Sequence, residues 1–380
     1  MNIAIISRES IDNKLYWSGT INSVYSNLKL KKNLNVIKID NLDNSLRKLF
    51  AIKRQLLKYT KKIKFDEAYD INVSKNFAKQ INSKLELIKY KKINYILCFD
   101  SSLISYLQTD IPIILWTDLL YSDYYNHYFK NIKVSPDSKR SIKIIERNAI
   151  KKCYKILLTS SWSIKRAKKK HKKFSNKFKL LPFGSNLKND VTKKHIADKI
   201  RLRKKNKLYL MTLSVRWKRK GIDKILKLHK ILKDQDIDSE ITIIGLKKKP
   251  KNLNRGIKIV KFIDKTSKTG EKRISDHLLR NHFHILFSSA EAFGVSLVEA
   301  NSRGLPNISF KIGGISQIVK NNVNGRLFSD KVNLKYVAKY IINSFKDYNK
   351  YKKLSISSYD YYKQNFSYNK IINRFYKLIK

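Results

Sequence analysis

Acidic residues are scarce in this sequence, where 29 Asp and Glu stand against 83 Lys and Arg, giving a formal net charge of +54. Such an excess predicts either a polyanion-binding protein or a composition that has drifted toward lysine. Because the lysines are spread along the whole chain, with asparagine abundant beside them, drift explains most of the excess. The charge still favours peripheral contact with an anionic membrane.

Cysteine is nearly absent, and long apolar runs are missing. The two cysteines, Cys98 and Cys153, form no CxxC pair, which excludes a disulfide framework and predicts buried free thiols in a reducing cytosol. No apolar run approaches the roughly 20 residues of a spanning helix, and the N-terminus lacks a secretory pattern. The expected location is cytoplasmic, with peripheral contact at the inner membrane face left open.

Glycine is also scarce, with 11 residues in the chain, but it is concentrated in one stretch. That stretch reads SSAEAFGVSLVEANSRGLPNISFKIGGISQIVKNNVNGRLF, from Ser288 to Phe328. Five glycines lie in it, together with the carboxylates Glu291 and Glu299. Such a pattern predicts backbone that approaches a ligand closely while carboxylates hold polar groups.

Short apolar runs alternate with amphipathic segments along the chain, as in NIAII, NYILCFD and IPIILWTD. This alternation predicts parallel, doubly wound α/β sheets, and a chain of 380 residues predicts two domains. A polar, basic stretch at 191–206 interrupts the pattern, which then restarts. We therefore predict an N-terminal domain at 1–190, a linker at 191–206, a second domain at 207–345 and C-terminal helices at 346–380.

The second half carries two candidate anion-binding turns. Gly294 lies where a strand passes into a helix, so the amides near Gly294, Val295 and Ser296 are expected at a helix N-terminus suited to phosphate oxygens. Lys220, followed by Gly221, stands at a second such turn in the basic segment SVRWKRKGIDKILKL, where cations would neutralise a diphosphate. Taken alone, Glu299 also fits a solvated helix face.

Together these residues resemble the retaining glycosyltransferases of the GT-B fold, specifically family 4, the group 1 transferases. The resemblance rests on EAFGVSLVE, RGLP, GGISQIV and NNVNGRLF, on the upstream WKRKGIDKIL and on LLPFGSN. It is dense from about Lys207 to Phe328 and thinner in the first half, where WSGT and TSSW contribute. It implies two Rossmann-like domains facing a cleft, with the C-terminal helices crossing back to the first domain.

The resemblance also implies roles for individual residues. Glu291 would hold hydroxyls of the donor sugar, and Glu299 would bind the ribose of the nucleotide. Lys220 and Arg216 would stabilise the leaving diphosphate. The remaining donor-binding residues implied at the sugar and the diphosphate are Gly19, Phe293, Gly294, Val295 and Ser296.

One position departs from the family pattern. Many relatives carry a histidine after a strand like IPIILWTD, whereas this chain has Thr117 and Asp118 there. Asp118 fits either an acceptor-side base or a helix cap. His282 and His284, in HFHILF, are expected to be structural, and no cluster has metal-ligand spacing.

The function implied is a retaining hexosyltransferase that moves a sugar from a nucleoside diphosphate sugar to a glycan or lipid-linked acceptor in surface polysaccharide synthesis. No cofactor, metal or nucleic acid is expected. A nucleotide-sugar epimerase of the same fold is one alternative. The other is a catalytically silent basic protein on a polyanion or membrane, for which the basic segment SWSIKRAKKKHKKF is a candidate contact, although a solvated helix face explains that segment better.

Overall fold

The computed structural model describes residues 1–130, 132–188, 190–246 and 254–379. The chain divides into two compact units. The first unit comprises Met1–Pro182 together with Arg374–Lys380, and the second comprises Phe183–Asn373.

A six-stranded parallel sheet forms the centre of the first unit. Its strands are β1 (Asn2–Ile6), β2 (Asn35–Ile39), β3 (Tyr95–Cys98), β4 (Ile113–Thr117), β5 (Cys153–Leu158) and β6 (Phe178–Leu180). They are ordered β2-β1-β3-β4-β5-β6, and every neighbouring pair is parallel. All of β4 is buried, as expected for a strand covered on both faces.

Seven helices connect these strands. They are α1 (Thr20–Lys29), α2 (Ser45–Lys61), α3 (Ile71–Leu87), α4 (Ser101–Ile104), α5 (Tyr121–Tyr128), α6 (Pro136–Lys152) and α7 (Ser161–Lys170). Helix α3 is typical of their packing, because Phe77, Ile81 and Leu85 recur every four residues and join the core beside the strands. The side chain of Asp70 caps its first turn by accepting from the amides of Asn72 and Val73.

A second six-stranded parallel sheet forms the centre of the second unit. Its strands are β7 (Leu208–Leu213), β8 (Ser239–Ile244), β9 (Ile257–Val260), β10 (Phe283–Leu286), β11 (Asn307–Phe310) and β12 (Gly325–Phe328). The order is β12-β11-β10-β7-β8-β9. The two sheets and their flanking helices confirm the predicted doubly wound α/β fold.

The helices of the second unit begin in the predicted linker. They are α8 (Lys193–Arg201), α9 (Ile222–Lys233), α10 (Lys268–Arg280), α11 (Val295–Asn301), α12 (Ile315–Ile318), α13 (Leu334–Lys346), α14 (Tyr348–Asn365) and α15 (Tyr368–Ile379). Helix α8 lies inside the stretch predicted as a connection. It is helical because Ile196 and Ile200, four residues apart, are both buried.

The last residues of α15 are grouped with the first unit. The ring of Phe375 stacks on Trp116 with centroids 5.6 Å apart, and the hydroxyl of Tyr95 donates to the carbonyl oxygen of Ile379 at 2.7 Å. These contacts attach the C-terminal end of α15 to strands β3 and β4 of the first unit.

Both cysteines are free and buried, as predicted. Burial raises the pKa of Cys98 above that of an ordinary thiol and raises the pKa of Cys153 to about 12. Within the described part of the chain, no helix combines the length and the apolar character needed to cross a membrane.

Candidate active site

The site residues of the second unit gather where the strand order reverses. Strand β7 lies next to β10 in the sheet, and the chain leaves the two strands toward opposite sides. Ligands of doubly wound sheets bind outside the carboxyl ends of the strands at such a switch point. Lys220 lies in the loop after β7, and Glu291 lies in the loop after β10.

Gly221 makes the turn that brings Lys220 to this point. Its φ is +69°, in the left-handed region, and it occupies the N-cap of α9. A Cβ atom at this position would lie 2.1 Å from the carbonyl oxygen of Phe287, at the end of β10. The absence of a side chain therefore lets the Lys220 loop pack directly on the strand that leads to Glu291.

Lys220 and Glu291 form a buried ion pair at the centre of the site. The Lys220 ammonium lies 2.6 Å from Oε2 of Glu291, and the two residues are 9% and 8% exposed. Arg219 donates to the same oxygen at 3.2 Å and to the carbonyl oxygen of Ala290 at 3.1 Å. The Ser288 hydroxyl also donates to Oε2, at 3.3 Å. Two cations and one carboxylate thus meet at a single atom.

The charges at this cluster control its protonation. Burial alone would raise the pKa of the Glu291 carboxyl, but the positive charges of Lys220 and Arg219 outweigh burial and lower it. Glu291 is therefore an anion near neutral pH. Burial lowers the pKa of Lys220, and the attraction of Glu291 opposes that shift.

Glu299 lies in α11 and is almost fully buried, which excludes the solvated helix face considered from the sequence. Its Oε1 atom accepts from the ammonium of Lys265 at 2.6 Å. Lys265 comes from the loop between β9 and α10, 34 residues earlier in the chain. A second carboxylate–lysine pair thus lies on α11, the helix that directly follows the loop containing Glu291.

The turn into α11 has the predicted geometry of a strand-to-helix junction. Gly294 is the N-cap residue with φ +99°. The ring of Phe293 is buried and packs edge-on against Phe183, with ring centroids 6.1 Å apart. The side chain thus fixes the position of the loop backbone at this residue. Val295 and Ser296 form the first turn of the helix.

The Ser296 hydroxyl oxygen is shielded from solvent and has no hydrogen-bond partner in the part of the chain that the structure describes. Buried hydroxyl groups are normally hydrogen-bonded, so an unpartnered one marks a place for a ligand or water. The loop after β11 closes the same region, because the Gly314 amide donates to the carbonyl oxygen of Glu291 at 3.1 Å.

The structure shows which arginine of the loop after β7 contacts Glu291, and it differs from the arginine singled out from the sequence. The predicted arginine, Arg216, is exposed in the loop after β7, and its carbonyl oxygen accepts from the Lys220 amide at 3.0 Å. The arginine that reaches Glu291 is Arg219. The predicted role of Arg216 toward a diphosphate stays a prediction.

Two predicted site residues lie in the first unit. Gly19 is the N-cap of α1 with φ +87°, and it ends a turn in which Trp17 and Ser18 also have positive φ, 51° and 56°. Consecutive left-handed non-glycine residues are strained and persist where surrounding structure enforces them. Asp118 follows β4, and its carbonyl oxygen accepts from the Ser163 hydroxyl at 2.7 Å. Leu120 occupies the N-cap position of α5, so Asp118 is not the cap of that helix.

The switch point of the first unit carries an ion pair that the sequence analysis did not identify. Strands β1 and β3 are neighbours, and Arg8, after β1, donates to Asp100, after β3, at 2.7 Å. Asp100 also accepts from the Tyr69 hydroxyl at 3.0 Å and from the amide and hydroxyl of Ser102 at 2.9 and 2.8 Å.

The histidines of β10 and its approach are structural, as expected. Nδ1 of His284 lies 2.8 Å from Oδ1 of Asn307, and Nδ1 of His282 accepts from the Tyr209 amide at 2.9 Å. Burial lowers the pKa of His284 to about 4 and that of His282 to about 3. No group of three potential metal ligands occurs among the described residues.

The chain thus has two six-stranded, doubly wound units, and the second carries a paired lysine and glutamate at its switch point. Residues 192–360 match the family "Glycosyl transferases group 1". The matched residues lie within the second unit and include Lys220, Glu291 and Glu299. No curated protein sequence matches the chain.

Several solved structures have a similar fold over nearly the whole chain. A sucrose-phosphate synthase from Thermosynechococcus elongatus has a TM-score of 0.70 at 14% identity, covering 100% of this chain and 98% of that one. HepE from Anabaena in complex with UDP-glucose has a TM-score of 0.62 at 13% identity, covering 100% and 99%. WaaG, a glycosyltransferase involved in lipopolysaccharide biosynthesis, has a TM-score of 0.62 at 11% identity, covering 98% of each chain. At these identities the likeness establishes the GT-B fold.

Proposed function

We propose that this protein transfers a sugar from a nucleoside diphosphate sugar to an acceptor hydroxyl, with retention of configuration at the anomeric carbon. The observation that carries the proposal is the buried Lys220–Glu291 pair at the switch point of a group 1 domain. Burying two charges is costly, and such a pair is weak evidence for stability alone. A site that holds cations ready for a developing diphosphate charge accounts for its presence.

The donor is held by residues of the second unit. Lys220 and Arg219 supply positive charge to the phosphates, and Arg216 extends that charge from the same loop. The Ser296 hydroxyl and the amides beside Gly294 donate to phosphate oxygens. We propose no role for a metal or an organic cofactor, because the donor itself supplies the leaving group.

The two carboxylates bind hydroxyl groups of the donor. Glu291, held as an anion by Lys220 and Arg219, accepts from hydroxyls of the sugar. Glu299 accepts from the ribose hydroxyls, and Lys265 fixes the orientation of its carboxylate. The backbone of Phe293 lines the sugar side of the Glu291 loop, and Gly19 remains a proposed contact of the diphosphate.

The reaction proceeds by front-face departure. The bond between the anomeric carbon and the diphosphate oxygen breaks, the electron pair leaves with the diphosphate, and an oxocarbenium-like state forms. The acceptor oxygen bonds to the anomeric carbon on that same face, which gives retention. Its proton passes to the departing phosphate oxygen or to Asp118, the acceptor-side base we propose in the first unit.

A UDP-sugar is the first donor to test, because HepE is described in complex with UDP-glucose. The acceptor is a glycan or a lipid-linked glycan, in line with the involvement of WaaG in lipopolysaccharide biosynthesis. We place the protein in surface polysaccharide synthesis on this basis.

Thermal stability with UDP, GDP, ADP and their sugars tests donor binding. A ligand at 100 times its dissociation constant should add about 2.7 kcal/mol to the free energy of unfolding. We expect one nucleotide to stabilise the wild type and Glu299→Gln to lose most of that gain. Glu240→Gln is the matched control, because Glu240 is also a buried, lysine-paired glutamate but lies at the amino end of β8. Equal loss in both variants, or no response to any nucleotide, would contradict the proposal.

Product analysis tests the reaction. Incubation of the stabilising donor with glycan acceptors should release the nucleoside diphosphate and give a product whose anomeric proton coupling matches that of the donor. Inverted coupling would refute retention. Conversion of the donor to an epimer without acceptor would favour the epimerase alternative.

A further inference from the structure

Helix α2 exposes an apolar stripe that no described residue covers. None of its residues is fully buried. Four large apolar side chains on it are mostly exposed: Leu49 at 61%, Ile52 at 66%, Leu56 at 61% and Tyr59 at 76%. Large apolar residues clustered on a surface mark contact sites rather than ordinary surface.

The four exposed residues lie on one side of the helix. Their spacing of three and four residues places them in a stripe roughly 80° wide. The opposite side attaches α2 to the first unit, because Leu46 and Phe50 pack against its core and Phe50 stacks on Phe65 at 6.4 Å. The exposed stripe is therefore additional to the face that the fold needs.

The charges of α2 have a single sign. The helix contains Arg47, Lys48, Lys53, Arg54, Lys58 and Lys61 and no acidic residue, and Lys62 follows it. Glu67 pairs with Arg47 and Arg54, and Asp137 pairs with Lys53. Lys48, Lys58 and Lys62 have no carboxylate within ion-pair distance in the part of the chain described. By helical spacing, Lys48 and Lys53 flank the apolar stripe on its two sides.

Helix α7, the basic segment noted in the sequence, lacks this combination. Its Trp162 is half-buried beside His127, with ring centroids 4.6 Å apart, and its Ile164 packs on the core of the first unit. The exposed positions of α7 are serine and lysine. It therefore has the charge of a membrane-contacting helix without an apolar stripe to insert.

We propose that α2 binds the surface of an anionic phospholipid bilayer. Its apolar stripe lies at the boundary between headgroups and acyl chains, and its lysines contact the headgroups. An amphipathic helix with cations beside an apolar stripe binds such an interface through both terms. A second copy of the chain is a poor occupant, because it would place two acid-free, polycationic helices face to face. The inference does not depend on the proposed transferase activity.

Vesicle co-sedimentation of the full chain tests the proposal. The two vesicle types are phosphatidylcholine alone and phosphatidylcholine mixed two to one with phosphatidylglycerol, at about 0.15 M salt, where exposed charges beyond about 8 Å are screened. We expect binding to the anionic vesicles and little to the neutral ones. Failure to bind the anionic vesicles would overturn the proposal.

Three variants separate the contributions. The apolar variant Leu49→Ser/Ile52→Ser/Leu56→Ser keeps the net charge and should weaken binding about tenfold or more. The charge variant replaces Lys48, Lys58 and Lys62 with Gln and should weaken it about tenfold to a hundredfold. The matched control replaces Lys165, Lys168 and Lys169 of α7 with Gln and should change it less than about threefold.

Specific outcomes would refute the proposal. If the apolar variant binds like the wild type, or the α7 control loses as much as the α2 charge variant, binding reflects only the net charge of +54. If sedimentation shows a lipid-free dimer that the apolar variant abolishes, the stripe joins two copies instead. The unfolding temperature of each variant, measured without lipid or nucleotide, reports whether it folds like the wild type.

A direct probe covers the case in which the apolar variant folds poorly. Ile52→Trp keeps the stripe apolar and places an indole at its centre. On anionic vesicles its emission should shift to shorter wavelength, relative to the wild type with its own tryptophans, and be quenched by brominated lipid. Unchanged emission with vesicles bound would place the contact elsewhere on the molecule and refute α2.

Discussion

The two units carry a cation–carboxylate pair at equivalent places in their sheets. In the first, Arg8 follows β1 and pairs with Asp100 after β3, with atoms 2.7 Å apart. In the second, Lys220 follows β7 and pairs with Glu291 after β10, at 2.6 Å. Each pair spans the switch point of its sheet, where parallel strands leave a crevice.

The surroundings of the two pairs differ. Asp100 is held by Tyr69 and Ser102 in addition to Arg8, so the fold of the first unit already satisfies it. Glu291 is likewise held, by Lys220, Arg219 and Ser288. The difference lies beside it, in the glycine-rich backbone and in the Ser296 hydroxyl, which has no partner among the described residues. If the second pair binds a donor as we propose, one topology supports a structural pair in one unit and a ligand-binding pair in the other.

The largest effect should come from Lys220→Met. Loss of a positive charge that meets the developing diphosphate typically costs a factor of about a hundred to a thousand in kcat, and the buried Glu291 would also lose its nearest partner. Release of nucleoside diphosphate measures the change. Lys218→Met is the control, since Lys218 belongs to the same turn but is 87% exposed and pairs with Asp223. Equal losses in the two variants would mean that the overall charge of the loop, rather than the buried pair, matters.

Arg8→Met should separate the two units in a different way. Removing one partner of a buried pair costs about 3 kcal/mol or more in unfolding free energy, so thermal denaturation should shift markedly. The thermal shift produced by the donor nucleotide should persist, because we propose that residues of the second unit hold the donor. Lys89→Met, in an exposed pair with Glu86, should change stability little. Loss of nucleotide binding in Arg8→Met would contradict a purely structural role for the Arg8–Asp100 pair.

Lys265→Met should have a smaller effect, confined to donor affinity. Without the ammonium of Lys265, the carboxylate of Glu299 loses the contact that orients it, so we expect the donor dissociation constant to rise about tenfold, or about 1.4 kcal/mol. Isothermal titration calorimetry with the nucleotide identified by the thermal screen measures this change. Lys258→Met, which removes the partner of Glu240, should leave affinity unchanged. An unaltered affinity in Lys265→Met would remove Lys265 from the site.

The fold was predictable wherever apolar periodicity was strong, and it was missed where composition masked it. Helix α8 was missed because lysines dominate it and only Ile196 and Ile200 are buried. Strand β12 was missed because GRLF contains glycine and arginine in place of an apolar run, and three of its four residues are only partly buried. Short elements depend on neighbours for their stability, and neighbours are not visible in a linear pattern.

The site was predictable as a set of residues but not as a set of contacts. Glu291, Lys220 and Gly294 lie at turns and Glu299 lies in the helix that follows Gly294, so sequence patterns could select them as candidates. Lys265 was missed because its loop has no motif and joins the site only through the parallel sheet. The backbone conformation of the tight turn at 216–221 decides whether Arg216 or Arg219 reaches Glu291. A run of basic residues does not reveal that conformation.

Acid titration should give the smallest effect and the finest test of the pair in the second unit. Burial opposes ionisation of Glu291, but Lys220 and Arg219 lower its pKa below the ordinary value of 4.5. A carboxylate with a lowered folded pKa stabilises the fold above its unfolded pKa, and this contribution is lost as pH falls through the folded pKa. The difference in unfolding free energy between wild type and Glu291→Gln should therefore be constant above about pH 4.5 and shrink below it. Buried histidines, including His282 and His284, titrate in the same acid range but are common to both proteins, so they cancel in the difference. A difference that grows as pH falls would mean that burial, rather than the two cations, controls this carboxyl, and the parallel with the satisfied Asp100 would then fail on the side of the second unit.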